Sequence, residues 1–320
     1  MKQSRTILAI FRDAEDEALW SSVLGDINDM VRVVACANLA ITLENLQIIG
    51  IEPSLTIFST RLYPRERPDL IACVRRYFAT TDFLLVSSSN APAPPMQPLI
   101  NDKVRHLVIN PDGFQLAGSN RQQMLRAVKK LVEGSVWEMH DYLTPGTPIH
   151  EFQISLSDQK EELISAVASL IPGDSPESEI LRQKGELLAD EMLENAMYGA
   201  PRGHDGNKIF RKGEKRAILP GERIAFRVGF DGETLAMEIA DGWGSLSPEM
   251  VMAHLETNRE CEEMCDESGG RGLFIIWRFL DQLHVSINTG KQTVVGGQIR
   301  LYPTVDPLTA PKGFHITTCQ

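Results

Sequence analysis

Cysteine is scarce in this sequence, with five residues in 320. A small and odd number of thiols argues against a disulfide framework and is typical of a reducing cytoplasm. Basic residues are also in deficit, so that the formal net charge at pH 7 is −11. Because nucleic acids and anionic membranes are bound through broad basic surfaces, we expect neither as a partner.

Long apolar runs are missing as well. The apolar segment near the N-terminus is too short for a signal peptide, and no later segment approaches the roughly 18 residues of a membrane span. A hydrophobic content of 42% and a charged content of 23% are those of a soluble globular protein. We therefore expect a cytoplasmic protein without membrane insertion, long enough for two domains with a core each.

The first half of the chain alternates strand-like with helix-like segments. Short strands that alternate with helices favour a parallel α/β sheet with helices on both faces. Five such units within residues 1–136 resemble the receiver domain of two-component systems. The predicted strands are Thr6–Phe11, Val31–Cys36, Leu55–Phe58, Phe83–Val86 and Arg105–Ile109, and the predicted helices are Glu15–Ile27, Ala40–Ile49, Asp69–Phe78 and Arg121–Glu133.

The residues that give a receiver its chemistry are mostly replaced. Ser59 stands where the phosphoacceptor aspartate should end the third strand, and Asn110 stands in place of the lysine after the fifth. Asp13 supplies part of the acidic cluster, and Ser87 retains the hydroxyl after the fourth strand. Without a carboxylate nucleophile no aspartyl phosphate can form. We interpret residues 1–136 as a pseudo-receiver that docks, dimerises or senses, with a flavodoxin-like module of other ancestry as the alternative.

A long helix is predicted for Leu181–Pro201, where apolar residues recur at helical spacing. Glu191 and Asn195 are four residues apart, so they lie on the same face of this helix. A carboxylate and a carboxamide in that arrangement can poise a hydroxyl and hold a hard cation. Asp190 and Glu194 have the same spacing, so that a solvated polar face is an equally simple interpretation of the spacing alone.

Two further motifs follow this helix. IADGWGSLSPE places an acid and two glycines at the end of an alternating strand, and ESGGRGLFIIWRFLDQLHV leads a glycine cluster into a strongly apolar helix. In this order the three motifs resemble the GHKL ATP-binding fold of histidine kinases and gyrase, and most closely the bacterial anti-sigma-factor serine kinases. The resemblance implies an α+β two-layer sandwich of the Bergerat type over residues 152–304, with ATP and Mg²⁺ as cofactors.

The resemblance also implies roles for the residues around the phosphates. Asn195 is expected to hold the metal, Mg²⁺, and Glu191 to act as the catalytic base. A glycine-rich loop at a helix N-terminus binds phosphates through its backbone amides. The expected phosphate-binding residues are Gly269, Gly270, Arg271, Gly272 and Leu273, where the helix begins; Arg271 either adds charge or faces solvent.

Asp241 is expected to lie under the adenine, because a carboxylate there can accept a hydrogen bond from the exocyclic amine. The family pattern is Asp-x-Gly-x-Gly, whereas this chain places Gly242 and Gly244 one position early. Trp243 then either stacks on the base or fills the pocket. Thr293 matches a hydroxyl position near the adenine, or else is an ordinary strand residue.

Four other segments complete the prediction. Residues 137–151 form a linker, because Pro145 and Pro148 exclude the long helix that a phosphoacceptor His140 or His150 would need. The polar loop 202–222 is either a partner-binding loop or an insertion, and the two alternating strands after it are predicted to be joined by a hairpin turn at Asp231-Gly232. Thr293–Tyr302 is predicted as the last strand, and residues 305–320 as a tail.

Three functions are compatible with these motifs. The first is an anti-sigma-type serine/threonine kinase, which transfers phosphate from Mg·ATP to a partner protein in a bacterial signalling pathway. The second is a protein-binding regulator on a catalytically decayed GHKL module, nucleotide-gated or nucleotide-free. The third, a histidine kinase, lacks a recognisable dimerisation hairpin. Homodimerisation is an expectation from the family.

Overall fold

The chain divides into two units, residues 1–136 and 137–320, except that residues 309–314 group with the first. The linker predicted for 137–151 therefore belongs to the second unit. No helix in the described part of the chain is long and apolar enough to cross a membrane. The computed structural model describes residues 5–11, 13–14, 17–18, 24–25, 31–36, 38–88, 94–110, 118–203, 205–256, 271–302 and 312–319.

The first unit contains a parallel sheet with the strand order β2-β1-β3-β4-β5. This is the flavodoxin-like order, which receiver domains share, so that the predicted receiver-like α/β fold is confirmed. The helix predicted for Glu15–Ile27 lies largely outside the described residues. The strands are β1 (Arg5–Ile10), β2 (Val31–Cys36), β3 (Pro53–Ser59), β4 (Asp82–Ser88) and β5 (His106–Asn110), and the helices α1 (Leu39–Ile48), α2 (Leu70–Tyr77), α3 (Met96–Asn101) and α4 (Gly118–Glu133).

The carboxyl ends of β3 and β4 carry hydroxyls where a receiver carries its phosphorylation chemistry. Ser59 and Ser87 are buried, and the Thr60 hydroxyl donates to Ser87 Oγ at 3.1 Å. Strand β3 is buried on both faces, as expected where helices cover both sides of a parallel sheet. The hydrogen-bonded pair at this position is therefore neutral.

The second unit contains a sheet with the order β11-β9-β10-β8-β7-β6. The pairs from β9 to β6 are antiparallel, and the predicted hairpin turn at Asp231-Gly232 joins β7 to β8. The strands are β6 (His150–Gln153), β7 (Ala225–Phe230), β8 (Thr234–Asp241), β9 (Gln282–Asn288), β10 (Gln292–Arg300) and β11 (Gly313–Thr318), and the helices α5 (Lys160–Ser169), α6 (Pro176–Glu194), α7 (Pro248–Glu256) and α8 (Arg271–Phe279).

The C-terminal part of this sheet differs from the prediction. Thr293–Tyr302 is not the last strand, since β10 (Gln292–Arg300) lies inside the sheet between β9 and β8. The last strand, β11, falls within the predicted tail, and β9 was not predicted. Both missed strands alternate polar with apolar residues, but β9 directly follows the segment assigned to the apolar helix and β11 lies in the segment assigned to the tail.

The long helix α6 begins earlier and ends differently than predicted. Ser175 caps its N-terminus by accepting from the Ser178 amide, and Pro176 occupies the first turn. A Cβ at Gly185 would lie 2.9 Å from Leu235, so the glycine lets the helix pack closely on β8. After Glu194 the chain makes a π-helical turn over residues 195–199 instead of continuing as α-helix.

The linker packs on one face of the sheet of the second unit. Residues 139–141 form a single 3-10 turn, and residues 137–151 contain no α-helix, so His140 does not sit on the long helix of a phosphoacceptor hairpin. The backbone amide of Met139 donates to Glu238 Oε2 at 3.1 Å, and His284 Nε2 lies 3.0 Å from the same oxygen. Glu238 and Asp241 are three residues apart on β8, so their side chains point to opposite faces.

Candidate functional site

A cavity of about 100 Å³ lies between α6, α8 and the strands β8 and β10 of the second unit. Helical spacing brings one face of α6 to it, and the pleat of β8 turns Ile239 and Asp241 towards it. Five of the residues predicted for the site line this one cavity: Asn195, Asp241, Gly272, Leu273 and Thr293.

The floor of the cavity is formed by Asp241 and Thr293, which face each other across the β8–β10 pair. Both are buried, with 6% and 2% of their surfaces exposed. Burial raises the pKa of Asp241 to about 6, although the Trp243 and Gly244 amides donate to its carboxylate and oppose the rise. Thr293 Oγ1 has no hydrogen-bond partner among the described residues. A carboxylate and an unsatisfied hydroxyl side by side form a polar pair suited to a ligand edge that carries a donor and an acceptor.

One wall of the cavity is formed by Asn195 and Gly272. Asn195 begins the π-helical turn, where the Ala200 amide reaches the Asn195 carbonyl at 2.7 Å. A Cβ at Gly272 would lie within 3 Å of three atoms of the Asn195 carboxamide. The glycine therefore lets the amide lie directly against the start of α8. Short π-helical turns are frequent at functional sites.

Three acidic residues near the end of α6, Asp190, Glu191 and Glu194, differ in their partners. Lys160 lies 2.5 Å from Asp190 and 2.8 Å from Glu194, and Lys212 lies 2.5 Å from Glu194. The Asp190–Glu194 pair is thus an ion-pair network. Glu191 has no hydrogen-bond or ion-pair partner in the part of the chain that the structure describes. Burial raises its pKa, although the charge of Lys212 opposes the rise.

The two glycines after Asp241 pack against protein backbone and are not among the cavity-lining residues. A Cβ at Gly242 would lie 2.6 Å from the Gly221 carbonyl oxygen. Gly244 has a φ of +56°, and a Cβ there would lie 2.3 Å from the Asn288 carbonyl oxygen in the β9–β10 turn. Trp243 is likewise absent from the lining, so it neither fills this cavity nor presents a stacking surface inside it. Glycine is therefore required at positions 242 and 244, because a side chain at either position would clash with neighbouring backbone atoms.

Three of the predicted phosphate-binding positions cannot be placed against the cavity. Gly269 and Gly270 lie outside the described residues. Arg271 begins α8, and only its backbone is described. Their proposed roles remain predictions.

The sequence analysis missed two cationic or titratable residues of the lining, Arg202 and His254. Arg202 follows the end of the long helix, and burial lowers the pKa of His254 on α7. Neither residue belongs to a sequence pattern that marks a binding site. Arg202 could have been suggested only by its position one residue after Pro201, at the predicted helix end.

No protein-family model matches the chain, and no curated protein sequence matches it. Several solved structures are similar to part of it. A response regulator from Thermotoga maritima is 15% identical over 41% of this chain and 99% of its own, with a TM-score of 0.31. The response regulator domain of Thermotoga maritima CheB is 11% identical over 42% and 96%, at 0.32. A CheY-like protein from Pseudomonas aeruginosa is 10% identical over 40% and 98%, at 0.29.

Proposed function

We propose that the second unit is a GHKL-type ATP-binding domain and that its cavity holds the adenine of ATP. The observation that carries this proposal is the buried pair of Asp241 and Thr293 on the cavity floor. A buried carboxylate can accept from an exocyclic amine, and a buried hydroxyl without a partner leaves room for a hydrogen bond to a ring nitrogen. Ile239 and Val295 supply apolar surface beside them.

The metal would be held by Asn195, whose side-chain oxygen is the kind of hard ligand that Mg²⁺ prefers. The wall that it forms with Gly272 stands where the resemblance places the phosphates. Mg·ATP supplies the transferable phosphoryl group in such a site, and the protein contributes positioning and charge neutralisation.

The reaction that these residues support best is phosphate transfer to a serine or threonine of a partner protein. Glu191 lies one helical turn before Asn195 and has no ion-pair partner among the described residues. Burial raises its pKa, as expected for a carboxylate that accepts a proton near neutral pH. In this role Glu191 accepts the proton of the incoming hydroxyl. The receiver-like first unit is then a docking or sensing module without its own phosphorylation.

A second candidate is a protein-binding regulator that does not turn ATP over. It is favoured by Gly242 and Gly244, because both are committed to close backbone contacts outside the cavity. In the family pattern the glycines let the backbone approach the adenine. A site in which the backbone at these glycines does not approach the adenine could retain weak nucleotide binding and lose catalysis.

The experiment that tests the proposal is calorimetric titration of the full chain with Mg·ATP, followed by measurement of ADP release with a serine-containing peptide as the phosphate acceptor. Asn195→Ala should weaken binding at least tenfold, because it removes the metal ligand. Asn45→Ala, an exposed change in the first unit, is the matched control and should bind as the wild type does.

The outcomes separate the two candidates. Binding that weakens in Asn195→Ala and is accompanied by ADP release supports the kinase. Binding without ADP release supports the nucleotide-gated regulator. If the wild type gives no heat of binding, the cavity is not an ATP site and the kinase proposal fails.

A further inference from the structure

The loop between the long helix and β7 carries a concentration of positive charge. Residues 202–216 contain six arginines and lysines against two acidic residues, in a chain with a net charge of −11. This contrast singles out the loop, which we call the basic loop, because charge on the rest of the molecule is predominantly negative. Local charge of one sign is what recognises an oppositely charged partner.

The basic loop is held in place by a buried arginine. Arg216 makes two hydrogen bonds to Glu222, at 2.6 and 2.8 Å, and donates to the Met197 carbonyl at 2.7 Å. Its guanidinium lies 3.7 Å from the ring centre of Phe210. The Tyr198 hydroxyl also donates to the Glu214 carbonyl at 2.7 Å. These contacts attach the loop to the end of the long helix, so that its exposed charges extend from a fixed backbone.

The basic loop borders the proposed catalytic residues. Arg202 lines the cavity, and Lys212 pairs with Glu194, the residue before Asn195. The charge of Lys212 also acts on Glu191 and opposes the rise of its pKa. A chain bound along the loop would thus place its side chains beside Glu191.

Two cations of the loop are available to a partner. Lys208 and Arg211 are exposed, and neither has an ion-pair partner among the residues that the structure describes. Burial lowers the pKa of Lys208, and repulsion from the charges of Arg202 and Lys212 lowers it further. Ile209, between them, is 48% exposed. A partner that brings carboxylates would relieve this repulsion and cover the isoleucine.

We propose that the basic loop is the docking surface for an acidic segment of the protein substrate and that it brings a serine or threonine of that segment to Glu191. This proposal rests on the kinase function above. A protein segment fits better than a nucleic acid, because one loop offers few charges and the predominantly negative remainder of the chain repels a long polyanion.

The test is fluorescence anisotropy with the full chain and two labelled peptides, each with a central serine, flanked by glutamates in one and by lysines in the other. The acidic peptide should bind more tightly, and added salt should weaken it. The charge reversal K208E with R211E should weaken it about tenfold or more, since two pairs become repulsive. The matched control is R76E with K129E, which reverses two exposed charges in the first unit.

Each outcome has a defined meaning. Equal binding of the two peptides, or equal loss in the loop and control variants, overturns the proposal. Tighter binding of a single-stranded oligonucleotide than of the acidic peptide also overturns it and assigns the loop to nucleic acid. Calorimetry with Mg·ATP on the same variants separates the two proposals. If ATP binding is absent while the acidic peptide still binds through the loop, the docking surface stands and the kinase function falls.

Discussion

Asn195 and Gly272 are in such close contact that any side chain at position 272 would displace the Asn195 carboxamide. A Cβ built on Gly272 would lie 2.4 Å from Asn195 Oδ1 and 2.5 Å from Nδ2. The two residues come from different helices and are 77 positions apart in sequence. Their contact brings the proposed metal ligand against the end of the glycine-rich loop, where α8 begins.

Gly272→Ala should therefore weaken Mg·ATP binding at least tenfold. The alanine would move the Asn195 carboxamide by more than a few tenths of an ångström. Its higher helix propensity, worth about 1 kcal/mol, offsets part of the loss in the free energy of unfolding that this strain causes. Calorimetry measures the first effect and thermal unfolding the second. Gly221→Ala, which adds a methyl group to open space, is the control. Unchanged affinity in Gly272→Ala would show that the carboxamide position does not matter for binding.

Asp241→Asn should stabilise the protein at neutral pH and abolish its ligand site. Burial raises the pKa of Asp241 from 3.8 to about 6, so the folded state binds this proton more tightly than the unfolded chain. The free energy of unfolding of the wild type therefore falls as the pH rises from about 4 to 6. The variant lacks this loss and should be about 1–3 kcal/mol more stable at pH 7.5, with the difference vanishing below about pH 4.

Urea unfolding of both proteins at several pH values measures this difference. Asp174→Asn, at an exposed position, should track the wild type throughout. A pH-independent difference between Asp241→Asn and the wild type would contradict a raised pKa at this residue.

Glu191→Gln should leave Mg·ATP binding within about twofold and reduce ADP release by about 10²-fold or more, the range expected for a positioned base. The reason is that the carboxamide keeps the size of the side chain and cannot accept the proton. Glu186→Gln, about two and a half turns before Asn195 on the same helix, should change neither quantity. Equal ADP release from Glu191→Gln and the wild type would remove Glu191 from the reaction.

Glu238→Gln should destabilise the second unit by about 2–4 kcal/mol, because it leaves buried polar partners without their counter-charge. Burial alone would raise the pKa of Glu238, but the hydrogen bond and charge of His284, the Met139 amide and Arg227 bring it down from 4.5 to about 2. This contribution to stability is present above about pH 4.5 and is lost as the pH falls towards 2.

Urea unfolding at pH 7 compared with pH 3 measures that loss. Glu233→Gln, at an exposed position of the β7–β8 hairpin, is the control. If Glu238→Gln matched Glu233→Gln at neutral pH, the buried cluster under the linker would not contribute to stability.

Part of the fold was predictable because its signals are local. Hydrophobic periodicity and Gly–Pro punctuation located most of the described elements of the first unit, and the hairpin around Asp231-Gly232 followed from alternation and turn chemistry. The missed strands β9 and β11 alternate polar with apolar residues, but each is only six or seven residues long and continues a segment assigned to a helix or to a tail. The same apolar content is compatible with the end of a helix or with an unstructured tail.

The spacing of Glu191 and Asn195 was enough to place them on one helix face, because the helical period is a property of the backbone. The sequence also places Ser59, and not an aspartate, at the end of the third strand of the first unit. The tertiary structure was needed to show that Asp190 and Glu194 form ion pairs with lysines from other segments, while Glu191 does not. It likewise decided that Thr293 faces Asp241, since strand register depends on pairing between segments far apart in the chain. The contacts of Gly242 and Gly244 were likewise not predictable, because the tertiary fold sets whether a glycine lies against a ligand or against another backbone segment.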